Sequence, residues 1–145
     1  MLIMENDENL QVMLKEIDLI QDIIKRMANN SFLVKGWTIT LVVVTMLFKG
    51  SNSQIIIAII PLVAFWFLDA YFLRQERLYR KLYSWVIKNR PSNKDLLFDL
   101  DASRFENEVD SISRVMFSIT LGCFYGSICV IIGSILICVY LIGGI

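Results

Sequence analysis

The sequence predicts an all-α membrane protein with three transmembrane helices, an N-terminal amphipathic helix and a cytosolic helical stalk. Three observations predict it. Apolar residues make up 56% of the 145 residues and the mean hydropathy is +0.59, above the range of ordinary soluble domains. Charged residues are missing from long runs at 36–48, 55–68 and 115–142. The 14 basic residues are also placed unevenly: nine fall at 74–114, four (Lys15, Lys25, Arg26 and Lys35) precede or open the first run, and only Lys49 lies between the first two. By the positive-inside tendency, this puts the N-terminus and the 74–114 segment in the cytosol. The 49–54 turn and the C-terminus then face the other side, as in a multi-pass protein of the bacterial inner membrane. Acidic residues also number 14, so net charge implies nothing about partners.

The chain divides into a cytosolic amphipathic helix at 1–30, a two-span membrane hairpin at 31–73, a cytosolic stalk and connector at 74–114, and a third transmembrane helix at 115–145. The opening MLIMENDENL is acidic and does not read as a signal peptide. Leu10, Met13, Ile17, Ile20, Ile24 and Met27 recur at spacings of three and four, the seam of an amphipathic helix. Two partners suit that seam: this chain's own stalk, or the same helix in another copy. Asn29, Asn30 and Ser31 read as the end of one helix and the cap of the next.

The first span, 32–48, is short for a bilayer crossing, with Lys35 able to reach the headgroups and Trp37 in an interfacial position. A tight turn at 49–54 leads to the second span at 55–73, which Pro61 should kink. No Gly or Pro separates that span from the basic stretch 74–90, so one helix is expected from about 55 to 89. Pro91 ends it. Ser103 and Glu106 have the spacing of a capping box, so a helix is expected from Arg104, with Phe105, Val109, Ile112 and Met116 on one face. That helix should run into the third span, 115–142, which is long enough to require tilt.

Four residue groups are candidates for function. Asp69 is the one acidic residue inside a span, at a depth matching Lys35. The pair is either a structural lock between spans or a gating carboxylate with its counter-ion. The stalk interleaves Arg74, Arg77, Arg80 and Lys81 with Tyr79 and Tyr83. This suits anchoring on anionic lipid, or a pocket in which Arg clamps phosphate and an aromatic ring stacks on a base. Glu76 should pair with Arg80 one turn on. Ser118, Gly122, Gly126 and Gly133 form a small-residue stripe suited to close helix packing, within the chain or between copies.

Enzyme chemistry is not expected. There is no histidine, no nucleophile beside a base, no phosphate-binding glycine loop and no metal-ligand spacing. Cys123, Cys129 and Cys138 sit in the last apolar run without a CxxC pair. No cofactor and no direct nucleic-acid binding are implied.

The block from Phe32 to Val42 (FLVKGWTITLV), the block from Phe65 to Tyr83 (FWFLDAYFLRQERLYRKLY), the preceding IQDIIKRMANNSF and the late FYGS together resemble a family of small bacterial multi-pass membrane proteins. These are similar to SLATT-like, TIR-associated transmembrane effectors of anti-phage defence. Lys35, Gly36, Trp37, Asp69, Gln75, Glu76, Arg77 and Arg80 carry the likeness, and the third span departs from the SLATT type. The resemblance implies a homo-oligomeric effector of abortive infection. It would be triggered by a TIR-like partner or a nucleotide second messenger and would then permeabilise or depolarise the membrane. The competing reading is a membrane anchor that recruits a cytosolic enzyme. The resemblance supplies no catalytic residues.

Overall fold

The computed structural model describes residues 2–47, 53–90 and 97–143. It is all helical, with no strand among the described residues. Two long helices dominate: α1 (Leu2–Leu47) and α2 (Ser53–Asn89). At 1.5 Å per residue they run roughly 69 and 55 Å. Their partners climb on one helix as they descend on the other: Glu16 meets Arg90, Gln21 meets Tyr83, and Lys35 meets Asp69. The pair is therefore an antiparallel hairpin. The turn expected at 49–54 lies largely outside the described residues, although α2 already begins at Ser53, and the expected stop at Pro91 lies outside them as well.

The break expected at Asn29–Ser31 does not occur; α1 runs through it. Each Asn costs a helix interior well under 1 kcal/mol relative to Ala, and no Gly or Pro stands there to add to it. The Ser31 hydroxyl is engaged with Asp69 across the hairpin rather than capping a backbone amide. α2 is one helix, continuing through Pro61 and from the apolar run into the basic stretch.

The expected helix from Arg104 into the last apolar run is also absent. Residues Ser103–Glu108 form a 3₁₀ helix, Val109 is extended at φ −121° and ψ 142°, and a short α3 (Ile112–Met116) follows. The last helix, α4 (Ile119–Gly143), begins after Phe117 and Ser118. The capping box fails because both its members are used elsewhere. The Ser103 amide and hydroxyl donate to Asp101, each at 2.8 Å, and Glu106 reaches Arg74 at 3.7 Å. At the α3–α4 break the Trp66 indole donates to the Met116 carbonyl at 2.9 Å, which satisfies an acceptor that the end of α3 leaves open.

α2 is the axis on which the other elements pack. Its lower half joins α1 and the 3₁₀ helix in a core of Ile20, Leu78, Leu82, Val86, Ala102 and Phe105, with Ile17 and Ile24 against it. The middle of the N-terminal seam is thus spent on this chain's own stalk, while Leu10 stays 54% exposed. The upper half joins α1, α3 and α4 through Val42, Leu62, Ala70, Val115, Leu121, Tyr125 and Ile132. Each fully buried Leu there contributes roughly 1.5–3 kcal/mol.

The two halves differ on the outside. Residues 36–47, 55–68 and 119–143 contain no charged side chain. Phe32, Trp37, Ile60, Phe67, Phe117, Ile119 and Val130 are all more than half exposed at or near that end. All eight ion pairs observed among the described residues lie at or beyond its lower border. Among the described residues no helix is long and apolar enough to cross a membrane. The three transmembrane helices that the sequence predicts therefore find no support among the described residues.

Candidate functional site

The border between the two halves is marked by a buried polar knot. Asp69 is fully buried, and Lys35 reaches both its carboxylate oxygens, at 2.8 and 2.7 Å. The Ser31 hydroxyl also donates to Asp69, and Lys35 donates to Ser31 at 2.8 Å. From α4, the Tyr125 hydroxyl lies 3.2 Å from both Asp69 Oδ2 and the Phe65 carbonyl oxygen. Three helices therefore converge on one carboxylate. The Lys35 ammonium also sits 5.9 Å from the Phe124 ring centroid, a cation–π distance. Trp66 stacks on Tyr125 at 5.5 Å and holds its ring in place. Sequence reasoning marked Lys35 and Asp69 but missed Ser31 and Tyr125. The signal for Ser31 was its spacing of four from Lys35, which puts both on one helix face. No local signal marked Tyr125.

The basic stretch divides in two by helical phase. Arg77, Arg80 and Lys81 face a cavity of about 370 Å³ that Ser84, Glu108, Val109 and Asp110 complete. Arg74 lies one turn above, toward Asp69, its Nε donating to the Asp110 carbonyl at 3.2 Å. The cations already have carboxylate partners. Arg77 lies 3.3 Å from Asp110, Lys81 3.3 Å from Glu108, and Arg80 2.7 Å from Glu76 on its own helix. Tyr79 and Tyr83 are not part of this cavity. They pack on the core around Ile20 and Leu82, and Tyr83 accepts a hydrogen bond from Gln21 at 3.4 Å. On this stretch Trp85 does meet a cation, with the Arg104 guanidinium 4.4 Å from its ring.

The small-residue stripe stands apart from both sites. A Cβ at Gly126 or Gly133 would meet nothing within 4 Å, and one at Gly122 would only touch the Phe117 carbonyl at 4.0 Å. The helix packs on α2 with another face, through Leu121, Tyr125 and Ile132. The Ser118 hydroxyl is buried without a hydrogen-bond partner at the α3–α4 break. The three cysteines are free and exposed. Among the described residues no cluster of His, Cys, Asp or Glu could hold a metal ion.

No family model, no curated protein and no solved structure matches this chain.

Proposed function

We propose that this chain is an α-helical effector embedded in a bacterial inner membrane, with its N-terminal and 74–114 segments in the cytosol. The observation that carries the reading is an inversion of the usual pattern at one end of the molecule. There, large apolar side chains face outward and the ion pair Lys35–Asp69 is buried. Soluble monomers rarely expose contiguous apolar surface on this scale, whereas helices solvated by lipid do so and turn their ionisable groups inward. The hydroxyls of this end support the reading. Thr40 and Ser134 are exposed, yet each donates to the carbonyl four residues back, at 3.0 and 2.8 Å. This removes a polar group that lipid could not satisfy.

The effector element rests on the continuity of α2 and on the resemblance to anti-phage membrane proteins. One helix carries both the cavity cations and Asp69, so a cytosolic event that shifts its lower half shifts the carboxylate at the border. The trigger is then a TIR-like partner or a nucleotide signal, and the output is loss of membrane potential by an assembly of several copies. A second reading, a passive anchor for a cytosolic partner, is favoured by one feature. Leu62, Ala70, Leu121 and Tyr125 pack together between the helices at the apolar end, so among the described residues a single chain shows a packed core there rather than a channel.

The test is expression in a bacterial host together with the activator, or under phage challenge that supplies it, with a voltage-sensitive dye and membrane fractionation. An effector collapses the potential, and Asp69→Ala and Arg77→Ala abolish that effect while remaining in the membrane fraction. A chain that fractionates with the membrane as oligomers but never depolarises it is an anchor. Recovery in the soluble fraction rejects both readings.

A further inference from the structure

The cavity beside α2 has cations on one wall and carboxylates on the other. Arg77, Arg80 and Lys81 share a helix face because they are spaced by three and four. Glu108 closes the 3₁₀ helix, and Asp110 lies in the link between that helix and α3. The bonds across it are long, Arg77–Asp110 and Lys81–Glu108 at 3.3 Å, as is Arg74–Glu106 beside it at 3.7 Å, and these carboxylates are 42–58% exposed. Exposed ion pairs of this kind are individually weak and readily exchanged. The contrast is with Arg90–Glu16, where both side chains are at most 3% exposed.

We propose that this cavity is a binding site for a phosphoryl anion, with Glu108 and Asp110 as its built-in occupants. A phosphate group offers the same guanidinium fork more oxygen atoms and more charge than a carboxylate, and displaces the 106–110 segment from α2. Recognition is of the phosphoryl group and not of a base, since Tyr79 and Tyr83 point into the core. The displaced segment leads directly into α3, where Arg114 holds Asp110 at 2.9 Å, and then to the break before α4. Anion binding therefore loosens the base of α4. This inference goes beyond the effector reading, and its test uses no membrane potential.

The experiment is calorimetric titration of the full chain with inorganic pyrophosphate in a neutral detergent, paired with amide hydrogen exchange. Wild type is compared with Glu108→Gln/Asp110→Asn, with Lys81→Gln and with Arg77→Gln/Lys81→Gln. Removing the two carboxylates tightens binding about 2- to 30-fold, the range set by two exposed pairs. Both cation variants weaken it, the single one at an exposed position where folding is not at stake. In wild type, pyrophosphate slows exchange at 77–84 and speeds it at 103–116. Absence of binding by every chain at millimolar pyrophosphate overturns the proposal. So does equal affinity of wild type and the carboxylate-free variant, or protection of 103–116 together with 77–84. A parallel titration in micelles doped with anionic or zwitterionic lipid identifies the source. Competition by the anionic lipid alone assigns the site to a lipid headgroup, and unchanged affinity assigns it to a soluble phosphate.

Discussion

The Arg90 guanidinium grips the Glu16 carboxylate from across 74 residues of chain, its Nε donating to Oε2 at 2.7 Å and Nη2 donating to Oε1. Both side chains are buried, and Arg90 also lies 5.5 Å from the Trp85 ring. The pair closes the open end of the α1–α2 hairpin, where nothing covalent holds the helices together. Removing one member leaves the other charged and unhydrated, at a cost of about 3–5 kcal/mol. Glu16→Ala is expected to lower unfolding stability by that amount, measured by denaturant titration in detergent. A loss under about 1 kcal/mol would mean that water reaches the pair.

Tyr125 links α4 to the knot through its hydroxyl alone, while its ring is held by Trp66. Tyr125→Phe keeps the ring stack and removes the donor to Asp69, a bond to a charged group contributing about 1.5–3 kcal/mol. The expected result is a loss of that size with the helical content unchanged by circular dichroism. Tyr125→Leu is expected to lose more, since the ring contacts with Trp66 and Phe124 go as well.

Lys35 and Asp69 can be separated into structural and gating roles by comparing single and double substitutions. Asp69→Ala strands the Lys35 ammonium beside an apolar core and is expected to cost about 3–5 kcal/mol. Lys35→Met with Asp69→Leu removes both charges together, and such replacements are often neutral in stability or better. If the pair is only a lock, the double variant folds and functions. If the pair gates, it folds with near wild-type stability and no longer depolarises the membrane.

Periodicity made the long elements readable, and its limits explain what was hidden. The α1–α2 hairpin follows from apolar spacing and from the absence of Gly and Pro between 62 and 89. The pairing of Glu76 with Arg80 is local and was legible for that reason. Glu16–Arg90 was not, because a buried pair 74 residues apart leaves no mark in either neighbourhood. Asn29 and Ser31 misled because their capping preference is weak beside the packing of a 46-residue helix. Ser103 and Glu106 misled because Asp101 and Arg74 outcompete the local box. Asp69 was legible as a lone charge in an apolar run. The carboxylates facing Arg77 and Lys81 lie at the end of a 3₁₀ helix and just after it, and no spacing rule specifies that this segment packs against α2.

The ion pairs across the cavity and those inside the core should respond differently to salt. The Debye length falls from about 10 Å at 0.1 M to 3 Å at 1 M, which screens exposed pairs such as Arg77–Asp110 and Lys81–Glu108. Hydrogen exchange at 103–116 is therefore expected to quicken as salt rises, while amides around Glu16 and Asp69 stay protected. Uniform loss of protection along α1 and α2 would mean that the exposed pairs, and not the buried ones, hold the hairpin.

Asp101 organises the turn that leads into the 3₁₀ helix. Its carboxylate takes the Ser103 amide and hydroxyl hydrogens. The Ser103 backbone amide is the largest cause holding its pKa below the ordinary 3.8, followed by the Ser103 hydroxyl; desolvation opposes them, and Arg104 adds the smallest contribution, also lowering it. A carboxylate whose folded pKa is depressed stabilises the fold above its unfolded pKa and loses that contribution as pH falls through the folded value. The turn is therefore expected to be insensitive to pH from 7 down to about 5 and to loosen only at pH values below 3.8. The measurement is an NMR titration of the Ser103 amide shift. Asp101→Asn should abolish the inflection, and Ser103→Ala should move the Asp101 carboxyl midpoint up toward 3.8. An unmoved midpoint in Ser103→Ala would assign the depression to the backbone amide and Arg104 alone.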